Sequence, residues 1–522
     1  MKTRLFSILV AGFLFLAFTV HPARAQGFEP NFDEGMAAFN YGDNELALRH
    51  FLRLSNDGDQ RAQYYLAYMM DSGLGMGKDV YGAASWYIKS ASQNYLPAMV
   101  YVGYIYSAGH GVTVDKKKAF DWYTKAAQMG DPVAQNNLAV MLREGDPYAI
   151  DKKLAAQWFL QSAMQGNMRA QYNLANMYRL ADGIGKNSAE AMKWYTYAAN
   201  QGDMYAQYAL GYMYFTTSKD LASKVDAAKE DLAEAQKEKA AQKPGDKPKD
   251  SQLVPPAPGD KPKDGAPVIA QPTVDDRIAA AQQIIDANTP EIETDKQQAL
   301  EWFRRSAEQG LTGAQMALAR MYENGDAGPD KGIGDAFVWY MNGAEAGNPA
   351  AMRRVGMMYE GKVRDWNDKS IELNYKLAFK WLRKAAEDKD DKLAMVEIGQ
   401  MYSEGHPESG ITRDPDKAVK WFQHAAETGD PTAQMLLAMA YETGTGIPRD
   451  ARAAYKWYSL AVRAYRNVND PEGLATAVKR RIGVQLDPAE KGSVDQEVEN
   501  WRPVVHTALP TKKERPLFYD DQ

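Results

Sequence analysis

The sequence predicts an all-α fold, an α/α solenoid of about ten helix pairs in two blocks split by a long insertion. Three observations carry that prediction. DWYTKAAQMGDPVAQNNLAVML from Asp121 returns as KWYTYAANQGDMYAQYALGYMY from Lys193 and as KWFQHAAETGDPTAQMLLAMAY from Lys420. Self-similarity at such a period marks a repeat architecture. Nine of the eleven tryptophans fall in this phrase: Trp86, Trp122, Trp158 and Trp194 stand 36 residues apart, and from Trp302 the gaps to Trp339, Trp381, Trp421 and Trp457 are 37, 42, 40 and 36. Within a phrase, small or apolar residues recur mostly in steps of four, as at Ala425, Gly429, Ala433, Leu437 and Tyr441, which places them on one helical face. Two helices in about 36 residues cannot bury their own apolar faces, so neighbouring pairs must stack.

The chain opens with Met1–Ala25, a basic start at Lys2 and Arg4, an apolar run over Leu5–Val20 and the small-x-small site Ala23-Arg24-Ala25. This is the pattern of a cleavable secretory signal peptide, so export and a cut after Ala25 are expected. The apolar run is short for a bilayer and no later run approaches that length, so no transmembrane segment is expected in the mature chain. Removal of the signal leaves 59 Lys and Arg against 68 Asp and Glu, a net of −9. That balance argues against a nucleic-acid surface. The chain has no cysteine, which excludes disulfides, thiol chemistry and thiolate metal sites.

Residues 26–215 form the first block. Each Trp helix ends near a glycine, and Asp131-Pro132 or Asp430-Pro431 marks the start of the second helix, Asp as N-cap and Pro in the first turn. That helix carries Ala-Gln and then Leu and Tyr, and stops at a glycine-rich loop. Each Trp is expected in the core, Trp194 among them, with His50 replacing a Trp 36 residues before Trp86. The loop SGLGMGKD at Ser72–Asp79 superficially suggests a phosphate cradle. A phosphate loop follows a strand and places a hydroxyl after its lysine. Here a helix precedes and Asp79 follows Lys78, while paired glycines recur at Gly109/Gly111, Gly183/Gly185 and Gly444/Gly446. The glycines are expected to terminate helices.

Residues 216–297 break the frame, because Trp194 to Trp302 spans 108 residues, leaving 72 inserted. Lys219–Lys243 is rich in helix formers with a thin Leu221–Val225–Leu232 stripe. Residues 243–273, holding PGDKPKD twice, are expected to be disordered, and a short helix is expected over Asp275–Ala287. The second block, 298–465, departs from the pattern at the loops after Gly325 and Gly361 and at Glu387–Asp390. In residues 466–522, Pro471–Val484 and Asp487–Trp501 read as capping helices over the last repeat. Thr507–Gln522 reads as a mobile tail in which Phe518 and Tyr519 could dock.

Five histidines follow the signal, His50, His110, His406, His424 and His506, with no pair at i,i+4 and no H-E-x-x-H or G-x-S-x-G motif. No acid pair stands out as general acid and base, so no catalytic residue, metal or cofactor is expected.

The string Ala-Gln…Leu…Met-Tyr…Gly-x-Gly…Asp…Ala…Trp-Tyr…Ala-Ala…Gly, seen in Ala170–Gly202 and, with Met99 for the glutamine, in Ala98–Gly130, resembles the Sel1-like repeat family, relatives of the tetratricopeptide repeat. By that resemblance the second helix of each pair lines a concave surface. Fourteen and eighteen residues after each Trp position, on that helix, the pattern stops dictating residue type. The first block places Tyr64, Tyr68, Tyr104, Tyr172, Tyr208 and Tyr212 there; the second places Met316, Arg320, Arg353, Met357, Met435 and Met439. Tyr, Met and Arg are enriched at protein interfaces, so these are the expected partner-binding residues. The favoured function is a non-enzymatic periplasmic scaffold or regulator that grips a protein partner in the cell envelope. The resemblance implies a sensor-kinase regulator or an envelope-assembly adaptor; the alternative is a protein that binds or hydrolyses cell-wall glycan or peptide.

Overall fold

The computed structural model describes residues 28–241, 273–328, 332–363, 371–407, 410–465 and 473–504. The signal peptide, the stretch expected to be disordered and the tail lie outside the described residues, apart from Thr273. Twenty-two α-helices and no strand appear among the described residues.

The chain divides by its contacts into two compact units, 1–187 and 188–522. In the first unit the helices are α1 (Phe32–Tyr41), α2 (Asn44–Asn56), α3 (Gln60–Ser72), α4 (Val80–Ser92), α5 (Leu96–Ala108), α6 (Lys116–Gln128), α7 (Pro132–Glu144), α8 (Lys152–Met164) and α9 (Met168–Leu180). The second unit holds α10 (Ser188–Asn200), α11 (Met204–Ala241), α12 (Val274–Glu308), α13 (Thr312–Glu323), α14 (Ile333–Glu345), α15 (Pro349–Glu360), α16 (Tyr375–Lys389) and α17 (Lys392–Glu404). It continues through α18 (Pro415–Glu427), α19 (Pro431–Thr443), α20 (Ala451–Tyr465), α21 (Leu474–Gly483) and α22 (Pro488–Asn500). In each unit consecutive helices pack against one another, except that α21 and α22 both pack on α20.

Caps start the helices where the sequence places them. The Asp131 carboxylate accepts from the Ala134 amide at 2.7 Å and that of Asp430 from Ala433 at 2.8 Å. In the first loop, Gly73 ends α3 in the left-handed region at φ 72°, and Gly75 at φ 71° passes so close to α2 that a Cβ would lie 2.7 Å from the Asn44 carbonyl oxygen. After α9 the counterparts are not Gly183 and Gly185. Ala181 takes the left-handed cap at φ 56° and Gly183 makes the close approach, two residues earlier than the glycine pattern suggested.

The core anchor of each repeat is the residue after the tryptophan. Tyr87, Phe159, Tyr195, Phe303, Tyr340, Leu382 and Tyr458 are all buried, as is Phe51 after His50, while Trp86, Trp122, Trp158, Trp339, Trp381 and Trp457 are only partly buried. Trp194, Trp302 and Trp421 are buried as expected. The anchor fits a hole left by a small residue on the preceding second helix. A Cβ on Gly211 would come 2.6 Å from Phe303, and one on Gly103 2.6 Å from Tyr123. Gly35 of α1 faces Phe51 in the same way, so α1 acts as the second helix of a half-repeat closing the unit's N-terminal end.

The motif glutamine ties the stack together. Gln135 Nε2 donates to the Ala127 carbonyl at 3.2 Å, near the end of α6, and the Gln135 amide oxygen accepts from Gln165 at 2.8 Å. A carbonyl at a helix end and the next repeat are thus bound by one side chain.

The insertion does not interrupt the helices. The helix formers of Lys219–Lys243 continue α11, which runs on from its repeat through Ala241, and the expected short helix Asp275–Ala287 is the start of a longer one, α12, which runs from Val274 through Pro290 into the Trp302 helix. No Gly or Pro occurs between Gly211 and Ala241, so nothing stops α11. Beside Pro290, Asn288 and Thr289 donate to the carbonyls of Ile284 and Ile285 at 2.6 and 2.7 Å. The pair forms a helical arm with a narrow seam of Leu221, Val225, Ala228, Ala235 and Ala281. Arg277 bridges to Asp231 and to Glu238 across it. At its base, Asp326 receives Lys219 at 3.2 Å and Lys296 at 2.8 Å, one lysine from each arm helix. The repeat contacts survive: Gln309 donates to Gln207 at 2.8 Å and Ser306 to the Met204 carbonyl at 2.8 Å, 102 residues apart, where Gln165 and Gln135 are 30 apart. The difference is the 72 inserted residues.

At the other end of the second unit, Val494 and Val498 of α22 and Ile482 of α21 pack on Tyr455, Tyr458 and Leu460 of α20.

Candidate protein-interaction surface

The second helix of each pair carries a buried stripe (Ala, Gln, Leu and a small residue) that meets the first helices before and after it. The positions fourteen and eighteen residues after the Trp frame flank that stripe, and the structure separates them.

Position fourteen turns toward the next repeat. The half-buried Tyr64 packs edge-on against Tyr87 and Tyr95, at 5.5 and 5.6 Å between centroids, and burial raises the pKa of its phenol. Tyr208 lies 5.7 Å from the Phe303 ring, Tyr172 is half-buried, and Met435 packs against the C-terminal core. Met316 is 8% exposed, and Arg353 Nε sits 3.1 Å from Asp391, the residue that caps α17. These side chains join repeat to repeat.

Position eighteen turns outward. Tyr68 is 42% exposed, Tyr104 46%, Tyr212 51% and Met439 46%; Arg320 is exposed as well, and Met357 is half-buried. Tyr68 rests on the edge of Phe39 at 5.8 Å and Tyr104 lies 5.5 Å from Tyr101, so each ring is supported from beneath while one face stays in water.

Beside this row lies a position that the sequence reading passed over. Twenty-one residues after the frame, the last turn of the second helix carries an acid that accepts a hydrogen bond from the next repeat. Tyr101 Oη donates to Asp71 at 2.7 Å, Arg354 Nε to Glu323 at 3.1 Å and Tyr458 Oη to Glu442 at 2.8 Å. His110 Nε2 is 2.8 Å from the other Asp71 oxygen. Burial alone would raise the Asp71 pKa, but the bonds from Tyr101 and His110 outweigh it and hold the carboxyl below its usual range. Burial likewise pushes Tyr340, which donates to Glu323, up to about 12. The signal in the sequence was the shared offset of Asp71, Glu323, Glu360 and Glu442.

No group of three or more His, Asp or Glu placed to hold a metal occurs among the described residues, and no helix there is long and apolar enough to cross a membrane. A groove of about 440 Å³ opens between α17, α18 and α19 and includes Met439 in its wall.

A family model described as the Sel1 repeat matches residues 60–95, 96–131, 132–167, 169–203, 205–216, 289–311, 312–348, 349–390, 392–430 and 431–464. The chain is 28% identical over 169 residues to the chitin synthase regulator SKT5 of Saccharomyces cerevisiae, covering 31% of this chain and 23% of that protein. It is 30% identical over 112 residues to the ERAD-associated E3 ubiquitin-protein ligase component HRD3B of Arabidopsis thaliana, covering 21% and 16%. Against the exopolysaccharide production negative regulator of Rhizobium meliloti it is 25% identical over 167 residues, covering 32% and 50%. The match spans half or less of each of these relatives. Among solved structures, c5321, a protective antigen of uropathogenic Escherichia coli strains displaying an SLR fold, is 25% identical, with coverage of 89% of this chain and 99% of that one and a TM-score of 0.33. A Sel1 repeat protein of Oxalobacter formigenes is 23% identical, with coverage of 60% and 100% and a TM-score of 0.43.

Proposed function

The chain belongs to the Sel1 repeat family, and from that premise we propose that it is a non-enzymatic scaffold or regulator that grips a protein partner in the cell envelope. The observation that carries this reading is the outward row at position eighteen. Tyr68, Tyr104, Tyr212 and Met439 recur at one place in the repeat and stay in water, beside a stripe of Ala, Gln and Leu that is buried. Single exposed apolar residues are ordinary; large apolar side chains exposed at the same position in four repeats support a surface held for something else. Two of the curated relatives are named as regulators, which agrees with a regulatory role. The signal-peptide pattern of Met1–Ala25 supports an exported protein, periplasmic or secreted, and N-terminal sequencing of the exported form should begin at Gln26.

The test is pull-down from the native cell after cross-linking. Tyr104→Ala and Tyr212→Ala should each lower partner recovery by roughly tenfold or more, as anchor truncation does, with unchanged melting. Tyr81→Ala, on the first helix α4 and 78% exposed, serves as the control. Equal loss at Tyr81, or none at Tyr104 and Tyr212, would place the interface elsewhere.

A further inference from the structure

The groove between α17, α18 and α19 has a floor of Val419 and Phe422, walls of Leu436 and Met439, and a rim of Glu404 and Thr443. Val419 and Phe422 are buried, whereas Met439, Glu404 and Thr443 are exposed, so the cleft is apolar below and polar at its mouth. Its lining includes one acid and no Lys, Arg or His. Its volume falls within the range of about 300–1,000 Å³ that binding clefts occupy.

The end of the described chain is tied to the same helix. Arg463 donates to the carbonyl of Trp501 at 3.2 Å, Pro503 packs over Gly429, and the Val504 amide donates to the Glu427 carbonyl at 2.9 Å. The described chain therefore ends, at Val504, beside the C-terminal end of α18. At about 1.5 Å per residue, Phe422 is on the order of 8 Å back along that helix. The following sequence brings Lys512, Lys513 and Arg515 around Glu514, a net of +2 from three cations and one acid, then Pro516-Leu517-Phe518-Tyr519 and the acids Asp520-Asp521. From Val504 to Phe518 an extended chain reaches up to roughly 45 Å, more than enough.

We propose that the groove is the docking site of this chain's own Pro516–Tyr519, with Leu517 and Phe518 over Val419 and Phe422 and the preceding cations toward Glu404. Apolar side chains meet an apolar floor, and the net-positive stretch 512–515 comes before them, able to reach Glu404, the one charged residue in the lining. The tether supplies the rest. A short tether holds its end at an effective concentration near millimolar, so a contact with a Kd of about 0.1 mM, measurable with a separate peptide, is about nine-tenths filled within one chain. A partner carrying a similar basic-aromatic segment must displace the tail.

The test uses the full chain, as wild type and as the double variant Phe518→Ala/Tyr519→Ala, with a labelled peptide spanning Thr507–Gln522 followed by anisotropy. The peptide should bind the double variant at least tenfold more tightly than wild type, whose own tail competes. Adding Met439→Glu to the double variant should abolish binding while its melting temperature stays unchanged, since Met439 is exposed. Equal affinity for wild type and double variant, binding to neither, or binding that survives Met439→Glu overturns the proposal. As a second measurement, a photo-reactive phenylalanine at position 518 should cross-link within one chain to α17–α19; links between two chains, or to other helices, also overturn it. No partner enters these experiments, so their failure leaves the proposed scaffold role standing.

Discussion

At the residue scale, the anchor of the repeat is set by a difference of one position. Trp158 and Phe159 are neighbours in sequence, but about 100° apart on the helix, and only Phe159 is fully buried. Phe159→Ala should destabilise the first unit by about 3–5 kcal/mol, the cost of emptying a large buried aromatic site. Trp158→Ala should cost clearly less, because that indole is already partly solvated. Denaturant melts of the two variants compare them directly, and the reverse order would return the tryptophan to the role the sequence suggested.

At the element scale, helix α19 starts on a carboxylate in an unusual setting. Asp430 caps it, yet is only 3% exposed, and burial raises its pKa despite the attraction of Lys392. The folded state thus holds the proton more tightly than the unfolded chain, whose carboxyl titrates near 3.9. Stability from that proton is present at low pH and is lost as pH rises from that value through the folded one. Asn caps about as well as Asp and carries no charge. Asp430→Asn should therefore gain melting temperature relative to wild type as the pH moves from 4 to 7. A variant that instead loses about 1 kcal/mol at pH 7 would show that the ionised cap is supporting the helix dipole.

At the scale of the whole molecule, each unit holds its own core, and stacked repeats feel mainly their neighbours. Calorimetry of the full chain should resolve two transitions. Phe159→Ala should lower one and Tyr340→Ala the other. A single transition that moves as a whole with either variant would show cooperativity running through the division. Because Ser188 opens the second unit, a change at Trp194 or Tyr195 belongs with the second transition, although the sequence pattern places their repeat at the end of the first block.

The sequence by itself determined the repeat, its two helices, their Asp caps, their glycine ends and the phase that keeps each residue type on its face. All of these are local: caps act within three or four residues, and a period of 3.6 needs only the helix that carries it. What tertiary structure decided is which neighbour covers each face. Periodicity placed Tyr64 and Tyr68 on one side of α3 but could not show that the first is covered by Tyr87 and Tyr95 while the second faces water. Composition marked residues 216–297 as an intrusion, yet their described helices are the extended limbs of a repeat whose glutamine contact closes across 102 residues. Propensity alone cannot show that closure, because a helix end chosen by local preference is overridden when packing against a second helix stabilises its continuation.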